Sequence, residues 1–377
     1  MNILHINSYY STSGLFKQLY ERQVEEQYNI QVYVPISHQY PSDRIAATGD
    51  YTLVSRNHHH FDRYVFHLKH HRILKDLKQQ YDSQAFDLVH AHSLFSNGWL
   101  AYQFTKKTDI PYVVAVRSTD IRTFFDKMPW LKAMGLKILK HAAKIIFISQ
   151  NNFNEVFDHH IPNFMKDELL AKSQVIRNGI DAFWLDNRYE NRPVGFHHPI
   201  RMVSVGKAIP EKRFVQLADM VKSYNDNIHP IELHVIGPAW NPKIVEQLNN
   251  HPVVHYHGPK SKEALLDFYR QMDIFALLSS PETFGLVYPE AMSQGLPVIY
   301  SKNEGFDSFF QNHQIGVSVD KNDELAFIKA IDYILNHYDT LSQQALVGAT
   351  QFNWDTIHQE YKILYEQIMN SGKELKE

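Results

Sequence analysis

The stretch SSPETFGLVYPEAMSQGLPVIYSK (279–302) places two glutamates, Glu282 and Glu290, with seven residues and a glycine, Gly285, between them. An apolar run, Ile274–Leu278, leads into it, and another, Pro297–Tyr300, closes it. Both read as strands. SSPET reads as a polar turn and VYPEAMSQ as a short helix, with Pro289 in the first turn, where a missing N–H costs little. The start of that helix offers unbonded N–H groups and a partial positive charge, which is an anion site. Two carboxylates this near in sequence repel each other unless something cationic or hydroxyl-rich stands between them.

The same strand–helix rhythm extends in both directions. Ile200–Val205, Glu232–Gly237, Val253–His257 and Gly316–Val319 join the two runs above as expected strands. Upstream, Ile3–Asn7, Ile30–Pro35, Asp87–His90, Tyr112–Val116 and Lys144–Ile148 read likewise, with helical patterns such as Gly14–Glu26 and Tyr64–Tyr81 between them. Alternation of this kind predicts an α/β protein with parallel sheets covered on both faces. The rhythm pauses at the polar stretch NRYENRPVGFHHP (187–199), the expected linker. The expected domains are 1–186 and 187–353, with a last amphipathic helix, 354–377, packing back toward the first. In such sheets ligands bind outside the carboxyl ends of the strands, so an interdomain cleft is the expected site. The Gly-x-Gly-x-x-Gly fingerprint of a dinucleotide-dependent dehydrogenase is missing: each domain's first strand leads into one glycine, Gly14 or Gly206.

That second glycine opens VGKAIPEKR (205–213), where Lys207 and Lys212 stand at a strand's carboxyl end. Two lysines there can neutralise one diphosphate, although either alone reads as an ordinary surface lysine. Combined with the opening stretch they describe one ligand. Glu290 accepts hydrogen bonds from a ribose diol, Glu282 holds hydroxyls of a second sugar, and the diphosphate between lies on the lysines and the helix start. The expected ligand is therefore a nucleotide diphosphate sugar. Taken by itself, Glu290 is also a plain helix-dipole carboxylate.

Composition narrows the classes further. The 377 residues include no cysteine, which removes disulfides, thiolate catalysis and cysteine-based metal sites. Of the 23 histidines, nine fall in a triplet and three adjacent pairs, which do not share a face of a helix or strand, so no metal site is expected from these runs. No stretch approaches the roughly 20 apolar residues of a membrane span. The first residues, MNILHINSYY, lack the pattern of a signal peptide, and a cytoplasmic location is expected. Net charge is −3, split as +3 over residues 1–190 and −6 over the rest. Residues 101–150 carry nine basic and three acidic side chains, which suits a phosphate or an anionic lipid and equally a solvated basic face.

These segments resemble glycosyltransferase family 4, whose fold, GT-B, is two facing Rossmann-like domains. FDLVHAHSLFSNG (86–98) is similar to the family's Asp-x-x-His-x-His segment, KIIFISQ (144–150) and VIRNGID (175–181) to the end of its first domain, and VGKAIPEK to its phosphate-binding stretch. HVIGPAW (234–240) and residues 254–299 resemble its core signature, in which the paired glutamates are the specific element. The resemblance implies transfer with retention at the anomeric carbon from a nucleotide sugar, a UDP-sugar being favoured, of a hexosyl or N-acetylhexosaminyl group. It implies that Glu282, Lys207 and Lys212 carry the catalysis, without a metal or other cofactor. Donor binding falls to Glu290, Gly206, Phe284, Gly285 and Leu286, with Gly258 and Pro259 at the base and Gly14 facing the phosphates. Two departures stand out. Lys207 replaces the usual arginine and loses its bidentate geometry. Arg117 replaces a histidine that contacts the donor sugar, so Arg117, Asp120 and His92 are assigned to the acceptor side, with Arg117 and Asp120 as a pair.

The segment FFDKMPWLKAMGLKILKHAAK (124–144) sets Trp130, Met134 and Ile138 at i,i+4 spacing among five lysines. Such a helix suits a membrane interface, and it equally describes a core helix with solvated lysines. The interfacial reading makes the acceptor a lipid-linked or polymeric glycan intermediate at the inner face of the cell membrane. No nucleic-acid recognition motif accompanies the basic residues. Two other readings keep the same architecture: a catalytically silent nucleotide-sugar binder in an assembly complex, and an epimerase or hydrolase needing no acceptor.

Overall fold

The computed structural model describes residues 1–225 and 230–374. The chain divides into two compact units, Met1–Asn178 with Trp354–Glu377, and Gly179–Asn353. The division falls earlier than the expected linker because 187–199 is fastened to the second unit. Tyr189 N–H donates to the Ser293 carbonyl at 3.1 Å, and the Arg192 guanidinium holds the carbonyls of Gln294 and Met272. His197 meets Asp273 with both its amide and its ring.

The first unit carries seven parallel strands, β1 (Asn2–Ile6), β2 (Asn29–Ser37), β3 (Thr52–His58), β4 (Leu88–Ala91), β5 (Tyr112–Val116), β6 (Lys144–Phe147) and β7 (Ser173–Val175), in the order β3-β2-β1-β4-β5-β6-β7. Successive side chains of a strand point to opposite faces, so a sheet covered twice needs apolar residues at every position. Ile3, Leu88, Val113 and Ile146 enter one core, whereas Leu4, Val89, Val114 and Ile145 enter the other. The helix Trp354–Glu374 seals the first of these with Trp354, Tyr361 and Tyr365, and Arg22 pairs with its Asp355. The edge strands β3 and β7 were not among the expected elements. TLVSRNH and SQV are polar and mostly half-buried, as edges are, and give no apolar run to read.

The second unit has six parallel strands, β8 (Ile200–Val205), β9 (Ile231–Ile236), β10 (Val254–Tyr256), β11 (Ile274–Leu277), β12 (Val298–Ser301) and β13 (Gly316–Val319), in the order β10-β9-β8-β11-β12-β13. The chain winds outward from β8 through β9 to β10, then returns to β11 on the other side. Loops leaving β8 and β11 therefore diverge, and a crevice opens at their carboxyl ends. Gly206 follows β8 and Ser279–Leu286 follows β11, so the paired-glutamate loop and the lysine loop flank this switch point.

Candidate active site

The β11 loop is held from beneath. Tyr288, on the short helix Val287–Met292, donates its hydroxyl to the Leu277 carbonyl at 2.6 Å, and its ring stacks on Phe306 with centroids 4.4 Å apart. Gly285 turns the chain into that helix at φ +79°, and a β-carbon there would lie 2.5 Å from the Tyr288 ring. Only glycine meets both demands without strain. The amides of Gly285 and Leu286 find no acceptor among the described residues. They are free donors at the sheet's carboxyl edge, as an anion needs.

Glu282 stands beside them. Its Oε2 accepts from Lys212 Nζ at 2.6 Å and from Ser279 Oγ at 2.7 Å, and its Oε1 from the Thr283 amide at 3.1 Å. Its own amide donates to Glu304 Oε2 at 2.7 Å, and Lys321 lies 3.6 Å from the other oxygen of Glu304. Alternating lysines and glutamates thus balance the loop, with Lys212 drawn to Glu282. Lys207 takes a different position: exposed, with its ammonium 4.0 Å from the centre of the Trp240 ring, a cation–π contact.

Glu290 is partly buried in the short helix, and no donor reaches its carboxylate among the described residues. Burial, and then the negative charge of Asp181, push its carboxyl up to about 8, while Lys262 pulls it the other way. Asp181 and Lys262 form an ion pair. Neither was among the expected site residues. Asp181 closes the VIRNGID motif, and Lys262 lies 81 residues from it, so no local spacing linked them. Gly258 adopts φ +66° with open space around it and accepts from the Gly237 amide at 2.9 Å, and Pro259 beside it is exposed.

Several expected site residues turn out to be structural. The Phe284 side chain is buried against Phe309 and Phe352, with centroids 5.1 and 5.9 Å away, leaving only its backbone to face the loop. In the first unit, His92 is fully buried. Its Nε2 lies 3.1 Å from His5 Nδ1, and its carbonyl accepts from Arg117 Nε at 3.1 Å. Asp120, also buried, does not pair with the Arg117 guanidinium. Its carboxylate accepts the amides of Leu94, Phe95 and Arg117 at 3.0, 3.0 and 2.8 Å, and burial still raises its carboxyl to about 6. Arg117 points instead to Asn178 Oδ1 at 3.3 Å and lies over Phe16. Gly14 is exposed, opens a 3₁₀ turn after β1, and has open space where a β-carbon would stand.

Non-local packing brings His5, His90 and His92 together, a grouping the histidine runs do not reveal. Burial drives His5 down to about 3 and holds His90 and His92 well below the ordinary range. One ring nitrogen from each lies within 4.8 Å of the other two, and the His90 and His92 rings are stacked at 4.1 Å and 19°. His5 Nε2 meets Gln23 at 2.9 Å, and His90 Nδ1 meets the Tyr365 hydroxyl at 2.7 Å. The cluster is buried in the core, with His90 Nε2 and His92 Nδ1 left without a hydrogen-bond partner among the described residues.

The loop geometry gives a direct prediction. A β-carbon on Gly305 would lie 2.1 Å from the Thr283 carbonyl oxygen, and the Gly305 amide bonds the Glu282 carbonyl at 3.0 Å. Gly305→Ala must displace the backbone that carries Glu282. We expect a loss of about 1–3 kcal/mol in stability, read by denaturant melts, together with weaker donor binding. A variant with wild-type stability and affinity would mean that the loop yields freely.

Known proteins place this geometry in context. Residues 15–182 match the family model described as Glycosyltransferase Family 4, and residues 188–346 the one described as Glycosyl transferases group 1. An uncharacterised glycosyltransferase of Methanocaldococcus jannaschii is 24% identical over 76% of this chain and 77% of its own length. The alpha-monoglucosyldiacylglycerol synthase of Acholeplasma laidlawii is 21% identical over 76% of each chain. The structure of HepE from Anabaena in complex with UDP superposes with a TM-score of 0.73 at 16% identity, covering 97% of this chain and 100% of that one. Two parallel-sheet units of this topology, each matched by one of these two glycosyltransferase models, make this chain a member of the family 4 glycosyltransferases with the GT-B fold.

Proposed function

We propose that the protein transfers a hexosyl or N-acetylhexosaminyl group from a UDP-sugar to a hydroxyl of a lipid-linked or polymeric cell-surface glycan intermediate, with retention at the anomeric carbon. The observation that carries this reading is the Lys212–Glu282 pair beside the free amides of Gly285 and Leu286 at the switch point of the second sheet. A diphosphate resting on those amides would draw Lys212 from Glu282 and release the carboxylate for sugar hydroxyls. Negative charge grows on the diphosphate as the glycosidic bond breaks, so cations and amides already in place stabilise the transition state more than the ground state. Lys207 is near enough in sequence to join them by leaving Trp240. Glu290 takes the ribose diol. The leaving phosphate oxygen accepts the acceptor proton, a role for which no side chain is required. UDP is favoured because HepE was solved with it. The donor set is built of lysines and amides, and the proposed chemistry runs without a metal. We place the reaction at the cytoplasmic face of a membrane; no helix among the described residues is long and apolar enough to cross one.

Thermal stability against UDP, GDP, ADP and their common sugars, with EDTA present, tests this reading. A ligand at 100 times its dissociation constant adds about 2.7 kcal/mol to the folded state. The expected result is a rise for UDP and a UDP-sugar that disappears in Glu290→Ala. A rise for GDP or ADP alone would overturn the choice of base. No rise for any nucleotide would sink the donor site.

A further inference from the structure

In the amphipathic stripe of 124–144, Ile138 is buried and Met134 partly buried, and only Trp130 is exposed. Leu131, Ile138 and Leu139 are buried in the first unit's core, and Gly135 packs against the Phe95 ring. Exposed apolar residues gather elsewhere, in the 3₁₀ turn His60–Tyr64 and the start of the helix Phe66–Gln80. Phe61 is 77% exposed, Tyr64 71%, Val65 54% and Leu68 44%, and Trp130, in the turn Pro129–Leu131, is 72% exposed. The two segments are packed together: the Phe66 ring meets Phe124 at 5.7 Å, and Phe124 stacks on Phe95. Phe61, Tyr64, Val65 and Leu68, exposed within one turn and the start of one helix, mark an interaction surface.

Charge identifies the partner. Residues 56–78 hold six lysines and arginines against two aspartates. Both aspartates are occupied internally. Asp62 pairs with Arg72 and takes the His59 amide, and Asp76 accepts from Tyr33, Ser55 and Asn57. Asp126 and Glu155, near the second segment, are met by His160 and Arg122. Down the helix from the apolar tip, the exposed side includes His67, His71, Lys75 and Lys78. An apolar tip beside a basic shaft fits an anionic bilayer, with the tip among the acyl chains and the lysines over the headgroups. Val65 and Leu68 are aliphatic and offer nucleic acid no stacking face. We infer that Phe61, Tyr64, Val65 and Leu68, with Trp130 and the lysines behind them, dock this chain on an anionic lipid surface. The inference adds a partner to the lipid-linked acceptor of the preceding section. The vesicle-binding readout uses neither donor nor acceptor, so its failure leaves the transferase reading standing.

The full chain is floated with vesicles of phosphatidylcholine, alone or with about 30% phosphatidylglycerol, at low salt. The expected result is binding to the anionic vesicles only, weakened about tenfold in the double variant Phe61→Ser/Leu68→Ser and again in Lys75→Gln/Lys78→Gln. Melting temperature should match wild type in both variants, since all four residues are exposed. Absence of wild-type binding would overturn the inference, as would binding that survives the Phe61/Leu68 change. Self-association abolished by that change, without vesicle binding, would assign the surface to a second copy of the chain.

Discussion

Glu290→Gln should lower affinity for UDP about 10- to 100-fold at pH 8.5 while making the ligand-free protein more stable than wild type at that pH. A carboxylate accepting from ribose hydroxyls makes charge-assisted bonds worth about 1.5–3 kcal/mol each, and the amide keeps the shape without the charge. The stability effect has the opposite sign. Burial and Asp181 raise the folded-state carboxyl from 4.5 to about 8. Between those values the unfolded chain has lost its proton and the folded chain retains it, so wild-type stability falls as pH rises through this window. The penalty is absent below it and complete above it, at roughly 2–4 kcal/mol after allowance for partial exposure. Glutamine never ionises and escapes it. Donor binding favours the ionised form, so near pH 7 it should release a proton and strengthen toward pH 8. Calorimetric titration in buffers of different ionisation enthalpy measures both quantities. Affinity that stays flat from pH 6 to 9 and is untouched by the substitution would remove Glu290 from the ribose site.

Lys212→Met should lower kcat by about 10²–10³, the usual cost of removing one preorganised group that stabilises developing charge. Its aliphatic stem lies against Gly206, 3.3 Å from where a β-carbon would stand, which aims the ammonium at Glu282. Methionine keeps that packing and loses the charge. Glu282 then retains only the Ser279 hydroxyl and the Thr283 amide, a stability loss of about 1–3 kcal/mol. Lys207→Met should cost less, because that ammonium is exposed and stands over Trp240 rather than against a carboxylate. Steady-state rates with whichever donor gives a thermal rise separate the two. A kcat for Lys212→Met within about threefold of wild type would deny this lysine its part in the chemistry.

Much of this protein is legible in its sequence. All six strands of the second sheet were expected, the inner β11 and β12 most directly, because strands buried on both faces are largely apolar and so read as continuous runs. The paired glutamates, the glycine between them and the lysine loop could be read because the chemistry needs those residue types within a few positions of one strand end. Where residues meet across the sheet, local spacing falls silent. Asp181 and Lys262 act on Glu290 from different elements, and Trp240 holds Lys207 across 33 residues. Motif matching also assigned Phe284 and His92 to ligands, whereas tertiary packing buries both side chains. Amphipathic patterning could not say which apolar stripe would be covered. The helix at 132–141 spends its stripe on the core and the segment at 61–68 leaves its apolar residues in water, since burial depends on which neighbour arrives and not on the pattern itself.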